Sequence, residues 1–129
     1  MILADSSVWI AHLRSHRTQA TASLEAAMRD NDLLIGDLIL LEVLLGARDE
    51  SHARRIETAL RDYPLASLLD PELAVRAARN YRRLRALGIT IRKTVDLVIG
   101  TYCIEHGHRL LHADRDFEPM RRHLGLMTV

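Results

Sequence analysis

Four acidic residues sit where carboxylates are costly. Asp5 follows the apolar run Met1-Ile-Leu-Ala4, and Glu42 lies inside Leu38-Ile-Leu-Leu-Glu-Val-Leu-Leu45. Asp96 is embedded in Val95-Asp-Leu-Val-Ile99, and Asp114 follows Leu110-Leu-His-Ala113. An ionised carboxylate in apolar surroundings destabilises the fold unless something compensates it. One such residue is commonly a helix cap or half of an ion pair; four need a common cause. If they converge, they repel one another without a cation. A carboxylate set with no cysteine and no obligatory histidine suits a hard divalent ion, Mg2+ with Mn2+ as a substitute. Asp116, two residues past Asp114, is a further candidate ligand, equally suited to capping the last helix. Such a cluster can activate water and stabilise the charge on a phosphodiester in transit. Ser6 and Ser7, beside Asp5, can donate a hydrogen bond to a ligating carboxylate, and capping a helix is an equal alternative.

These side chains need a scaffold that brings distant segments together. The apolar runs Met1–Ala4, Leu33–Gly36, Leu65–Leu69, Arg109–Ala113 and Leu126–Val129 read as short strands. Between them fall helical patterns. Val8–Arg14 follows the two serines; Thr18 to Asn31 is amphipathic; Leu38–Ala47 follows Asp37 as its cap; another helix runs from a Ser51 cap to about Asp62. Pro71 suits the first turn of a helix reaching Leu87 before Gly88, Thr94 caps Val95–His106 before Gly107, and Phe117–Leu124 is the last helix. Alternation of this kind predicts an α/β domain with a mostly parallel central sheet, whose ligands lie at the carboxyl ends of the strands. Asp5 and Asp114 fall just past two such ends, Asp96 in a first helical turn, and Glu42 deeper in its helix.

Composition narrows the function classes. At 129 residues and 48% hydrophobic, the chain predicts one globular domain over residues 1–129. A formal net charge of +1 gives no bulk attraction to nucleic acid. The cations are uneven, though: Lys93 is the only lysine, and arginine supplies the other seventeen. Arg76, Arg79 and Arg83 share one helical face that could track an RNA backbone or simply face solvent. Arg92 and Lys93, which precede Asp96, are the stronger candidates for RNA contact, and Arg115 is placed to balance the charge of the acids around it. A single cysteine, Cys103, excludes a disulfide framework. No uncharged apolar run reaches the roughly 18 residues a membrane span needs, so a cytoplasmic location is expected.

Taken together, the segments Met1-Ile-Leu-Ala-Asp-Ser-Ser-Val-Trp-Ile10, Leu40-Leu-Glu-Val-Leu-Leu-Gly46, Thr94-Val-Asp-Leu-Val-Ile-Gly100 and Leu110-Leu-His-Ala-Asp-Arg-Asp-Phe117 resemble PIN-domain proteins, in particular the VapC toxins of toxin–antitoxin pairs. The resemblance implies a three-layer α/β/α PIN-like fold with a sheet of about five strands. It implies an Mg2+-dependent endoribonuclease that cleaves structured RNA such as transfer or ribosomal RNA. By motif position the family's acidic site falls on Asp5, Glu42, Asp96 and Asp114, with Asp116 at a position acidic in many members. It implies, too, a cognate VapB-type antitoxin that blocks the site, and a homodimer within the toxin–antitoxin assembly. Asp49 to Lys93 carries little family signal.

Other classes fit less well. A phospho-receiver or aspartyl-phosphate phosphatase also places acids at strand ends, but the first strand's Asp5 lacks a second aspartate two residues on. A non-catalytic PIN-like binding module is opposed by acids at all four positions. An RNA-processing nuclease without an antitoxin shares the same chemistry.

Overall fold

In the computed structural model, which describes residues 1–129, five parallel strands form one sheet in the order β3-β2-β1-β4-β5. They are β1 (Ile2–Ala4), β2 (Leu33–Gly36), β3 (Leu65–Ala66), β4 (Arg109–Leu111) and β5 (Met127–Thr128). The central three are almost wholly buried, apart from the exposed Arg109 that opens β4, which is why they read as apolar runs rather than alternating ones. The edge strands are shorter than the apolar runs suggest. Leu65–Leu69 yields only two residues of β3 before the chain turns towards the next helix, with Leu68 buried against Gly36.

Chain order fixes the layers. From β1 the sheet grows to β2 and β3 on one side, then returns past β1 to β4 and β5. Right-handed crossovers therefore place the helices of the first half on one face and those of the second half on the other. On the first face, α1 (Ser6–Leu13) packs on α2 (Gln19–Arg29) and α3 (Asp37–Leu45), and α3 packs on α4 (Glu50–Leu60). On the second, α5 (Pro71–Ala86) packs along α6 (Thr94–His106), followed by a 3-10 turn (Arg115–Phe117) and α7 (Glu118–His123). This is the three-layer α/β/α architecture expected.

Helix α6 is the centrepiece. Every residue from Asp96 to Cys103 is buried, as befits a helix that is apolar on all sides. Gly100 permits this, because a Cβ there would overlap the sulfur of Met120 on α7. Gly107 ends the helix in the left-handed conformation at φ 68°.

Several caps differ from the sequence reading. Ser6 and Ser7 are the first residues of α1, and Asp5 is its cap. Asp49, not Ser51, caps α4 through a 2.7 Å bond from the His52 N–H. Asp37 is the first residue of α3 rather than its cap. Its Oδ1 accepts from the N–H of Leu38 (2.8 Å) and of Leu68 (3.1 Å), tying α3 to the segment after β3. Lys93, not Thr94, occupies the cap position of α6, and no side chain caps that helix.

Candidate active site

Because all strands are parallel, their carboxyl ends share one edge, and the topology reverses between β1 and β4. Asp5 leaves β1 at that switch point, where its N–H donates to the carbonyl of Leu111 at the end of β4 (2.9 Å). Asp114 follows three residues later. Asp96 comes to the same edge on the first turn of α6, and Glu42 reaches it from α3 on the opposite face of the sheet.

Asp5 is 5% exposed and Asp96 is 6% exposed. The Asp5 carboxylate has a partner: its Oδ2 accepts from the Ser7 hydroxyl at 2.7 Å and weakly from the Ser7 N–H at 3.4 Å. Ser6 makes no such bond. Asp114 Oδ1 accepts from the Asp116 N–H (3.0 Å) at the start of the 3-10 turn, and the Asp114 N–H donates to Nδ1 of His112 (3.2 Å). Carboxylate oxygens of Asp96, Asp114 and Asp116 all lie within 4.8 Å of one another.

Two buried carboxylate oxygens have no hydrogen-bond partner: Oδ2 of Asp96 and Oε1 of Glu42. Burial is the main cause that raises the Asp96 carboxyl to about 6, and the charges of Asp5, Asp114 and Glu42 push the same way. Only Lys93 opposes them. Its Nζ lies 4.0 Å from Oδ2 of Asp114. Orphaned buried carboxylate oxygens facing further carboxylates are the donor set of a hard divalent ion. The residues present fit such an ion. Asp96, Asp114 and Asp116 are the ones gathered closely enough to share it, with Asp5 and Glu42 around them.

A family model described as the PIN domain matches residues 2–122. A VapC ribonuclease from Mycobacterium bovis is 30% identical over 132 residues, covering 100% of this chain and 98% of the relative. Ribonuclease VapC11 from Mycobacterium tuberculosis matches with the same identity and coverage. The chain belongs to the VapC family of PIN-domain proteins. Its fold is shared by VapBC2 from Rickettsia felis, solved bound to a promoter DNA fragment, at a TM-score of 0.78 and 16% identity over 100% of this chain and 98% of that one. FitAcB from Neisseria gonorrhoeae aligns at a TM-score of 0.75 and 17% identity, over 99% of this chain and 96% of that one.

Within this PIN domain the cationic residues are placed less simply than their spacing suggests. Arg115 is exposed and forms no ion pair, so the charge beside the acids comes from Lys93 instead. Arg92 is exposed next to it. The stripe on α5 does not lead to the acids at its Arg76 end: Arg76 is held by Glu72 and by Glu105. Glu105 lies nine residues along α6 from Asp96, about 14 Å at helical rise. Arg79 and Arg83 line an open groove beside it. Sequence reasoning did not find the Lys93–Asp114 proximity as such. The signal that was available is its rarity, since Lys93 is the only lysine in the chain and stands three residues before Asp96. No helix is long and apolar enough to cross a membrane.

Proposed function

We propose that this VapC-family chain is an Mg2+-dependent endoribonuclease acting as the toxin of a type II toxin–antitoxin pair. The observation that carries the reading is the pair of buried, unpartnered carboxylate oxygens on Asp96 and Glu42, set among Asp5, Asp114 and Asp116. A buried carboxylate oxygen without a partner is costly, and a bound cation is what offsets that cost at a cluster of acids. Asp5, Asp96, Asp114 and Asp116 would hold Mg2+, or Mn2+ in its place. When bound, the ion supplies positive charge to a phosphodiester oxygen and makes water a competent nucleophile near neutral pH. Ser7 holds the Asp5 carboxylate in place. Glu42, outside the tight trio of aspartates, orients the attacking water. Arg92, Lys93 and Arg115 meet the RNA phosphates, exposed at the same edge as the acids.

The names of the full-length relatives support ribonuclease activity. Its substrate would be structured RNA in the cytoplasm, transfer or ribosomal. The complexes among the solved neighbours support a VapB-type antitoxin as partner. Leu41 and Leu45, 52% and 75% exposed one turn apart on α3, support a homodimer that covers them within the assembly. The test is incubation of the purified protein with total bacterial RNA, followed by mapping of new 5′ ends. Discrete ends that need Mg2+, and vanish in Asp96→Asn or excess EDTA, are the expected result. Undiminished cleavage by a folded Asp96→Asn protein would contradict the reading.

A further inference from the structure

We propose that Lys93 is a tethered counter-ion of the acid cluster, which steadies the site while it is empty and competes with the incoming divalent ion. This inference rests on the metal-site reading above.

Three observations meet on this residue. It is the only lysine in a chain with seventeen arginines, so a point charge on a flexible stem stands where the rest of the molecule uses a planar fork. Its ammonium lies 4.0 Å from Oδ2 of Asp114, and no arginine pairs with any of the five acids. Lys93 also occupies the cap position of α6, where its side chain cannot accept from the free N–H groups and its charge opposes the helix dipole. A lysine there weakens the start of α6. What offsets that cost is the cluster of carboxylates the lysine faces.

The consequence concerns exchange of cations. The Lys93 side chain is 66% exposed, so its stem can swing to solvent without disturbing the core. A divalent ion entering among Asp96, Asp114 and Asp116 meets repulsion from the ammonium and displaces it. The freed ammonium then stands at the rim, where an RNA phosphate would arrive. Lys93 therefore weakens ion binding and strengthens RNA binding, two effects of opposite sign. A residue with a merely structural role has no reason to separate them.

The test uses ion-free full-length protein and three forms: wild type, Lys93→Met and Lys93→Arg. Calorimetric titration with Mn2+ alone should give Lys93→Met an affinity about three- to tenfold tighter than wild type, the size expected of one partly screened charge. Fluorescence anisotropy with a short mixed-sequence single-stranded RNA, read in saturating Mn2+ at low temperature before cleavage sets in, should show weaker binding by Lys93→Met, with a salt slope shallower by about 0.7. Lys93→Arg should return both values towards wild type. Mn2+ affinity within twofold of wild type in Lys93→Met, or weaker, overturns the inference while leaving the metal site standing. Failure of wild type to bind Mn2+ at all overturns the functional reading and this inference with it.

Discussion

The two ends of α6 treat charge in opposite ways. At the carboxyl end Glu105 meets Arg76, which also bonds Glu72, while His106 bonds the Tyr102 carbonyl and stacks on the Tyr102 ring. The Glu105 charge there is answered within the chain. At the amino end Asp96 keeps a buried oxygen with no partner, and burial first, then three more carboxylates, raise its pKa. One helix thus carries a finished ion-pair network and an unfinished one. The unfinished end is where the sheet topology reverses, and its carboxylates are a donor set that suits a cation from outside the fold.

The contrast breaks most sharply at Asp96. Asp96→Asn should lower RNA cleavage by more than about a hundredfold, since even groups that merely support metal ligands are worth 10- to 100-fold. The same substitution should raise the melting temperature of the ion-free protein at pH 7.5, because it removes a buried, repelled charge. Loss of activity with gain of stability, read by cleavage assay and calorimetry, separates a ligand from a structural residue.

Acidity sharpens the comparison next. Asp96 titrates at about 6 in the fold against an ordinary 3.8. Below the lower value it is protonated in both folded and unfolded chains and has no effect. Between the two values the unfolded chain ionises first and draws the protein towards unfolding. Above the higher one the full penalty persists, about 1.4 kcal/mol for each pH unit that separates the folded and unfolded values. The melting temperature of ion-free wild type, taken relative to Asp96→Asn, should therefore fall as pH rises from about 4 to 6, and millimolar Mn2+ should recover it at pH 7.5. A difference that stays flat or rises with pH over that window, without added ions, would contradict the assignment of Asp96 as a strained acid.

Ser7→Ala tests the support beneath Asp5. Loss of its 2.7 Å bond should cost about tenfold in cleavage or Mn2+ affinity, with Ser6→Ala much closer to wild type. The smallest effect belongs to the finished end. Arg76→Ala should leave cleavage unchanged and move the melting temperature little, because the pairs it breaks are solvent-exposed. A large loss of cleavage there would mean that the α5 arginines reach the substrate after all.

Much of the fold could be read from residue patterns, because the central strands are built around apolar runs and α5 and α6 are followed by stops at Gly88 and Gly107. The acids stood out for the same reason: Asp96 is conspicuous among valine, leucine and isoleucine. Caps were harder, since Asp5 and Ser7 share one arrangement and only geometry shows which accepts. The partner of Asp114 was harder still. Arg115 is its neighbour in sequence, yet Lys93 lies beside it in space, a contact created by packing α6 against β4 and the 3-10 turn. For the Arg76 stripe, open in the sequence between an RNA track and a solvated face, the pairing with Glu72 is local, but the one with Glu105 comes from α6, 29 positions away.

The central claim is that the unpartnered acids at the amino end of α6 form a divalent-ion site. Calorimetric titration of Mn2+ into ion-free wild type and Asp96→Asn protein tests it most directly. Saturable binding to wild type, lost or greatly weakened in the variant, is the expected result. Equal binding by the two proteins, or none by wild type, would contradict it.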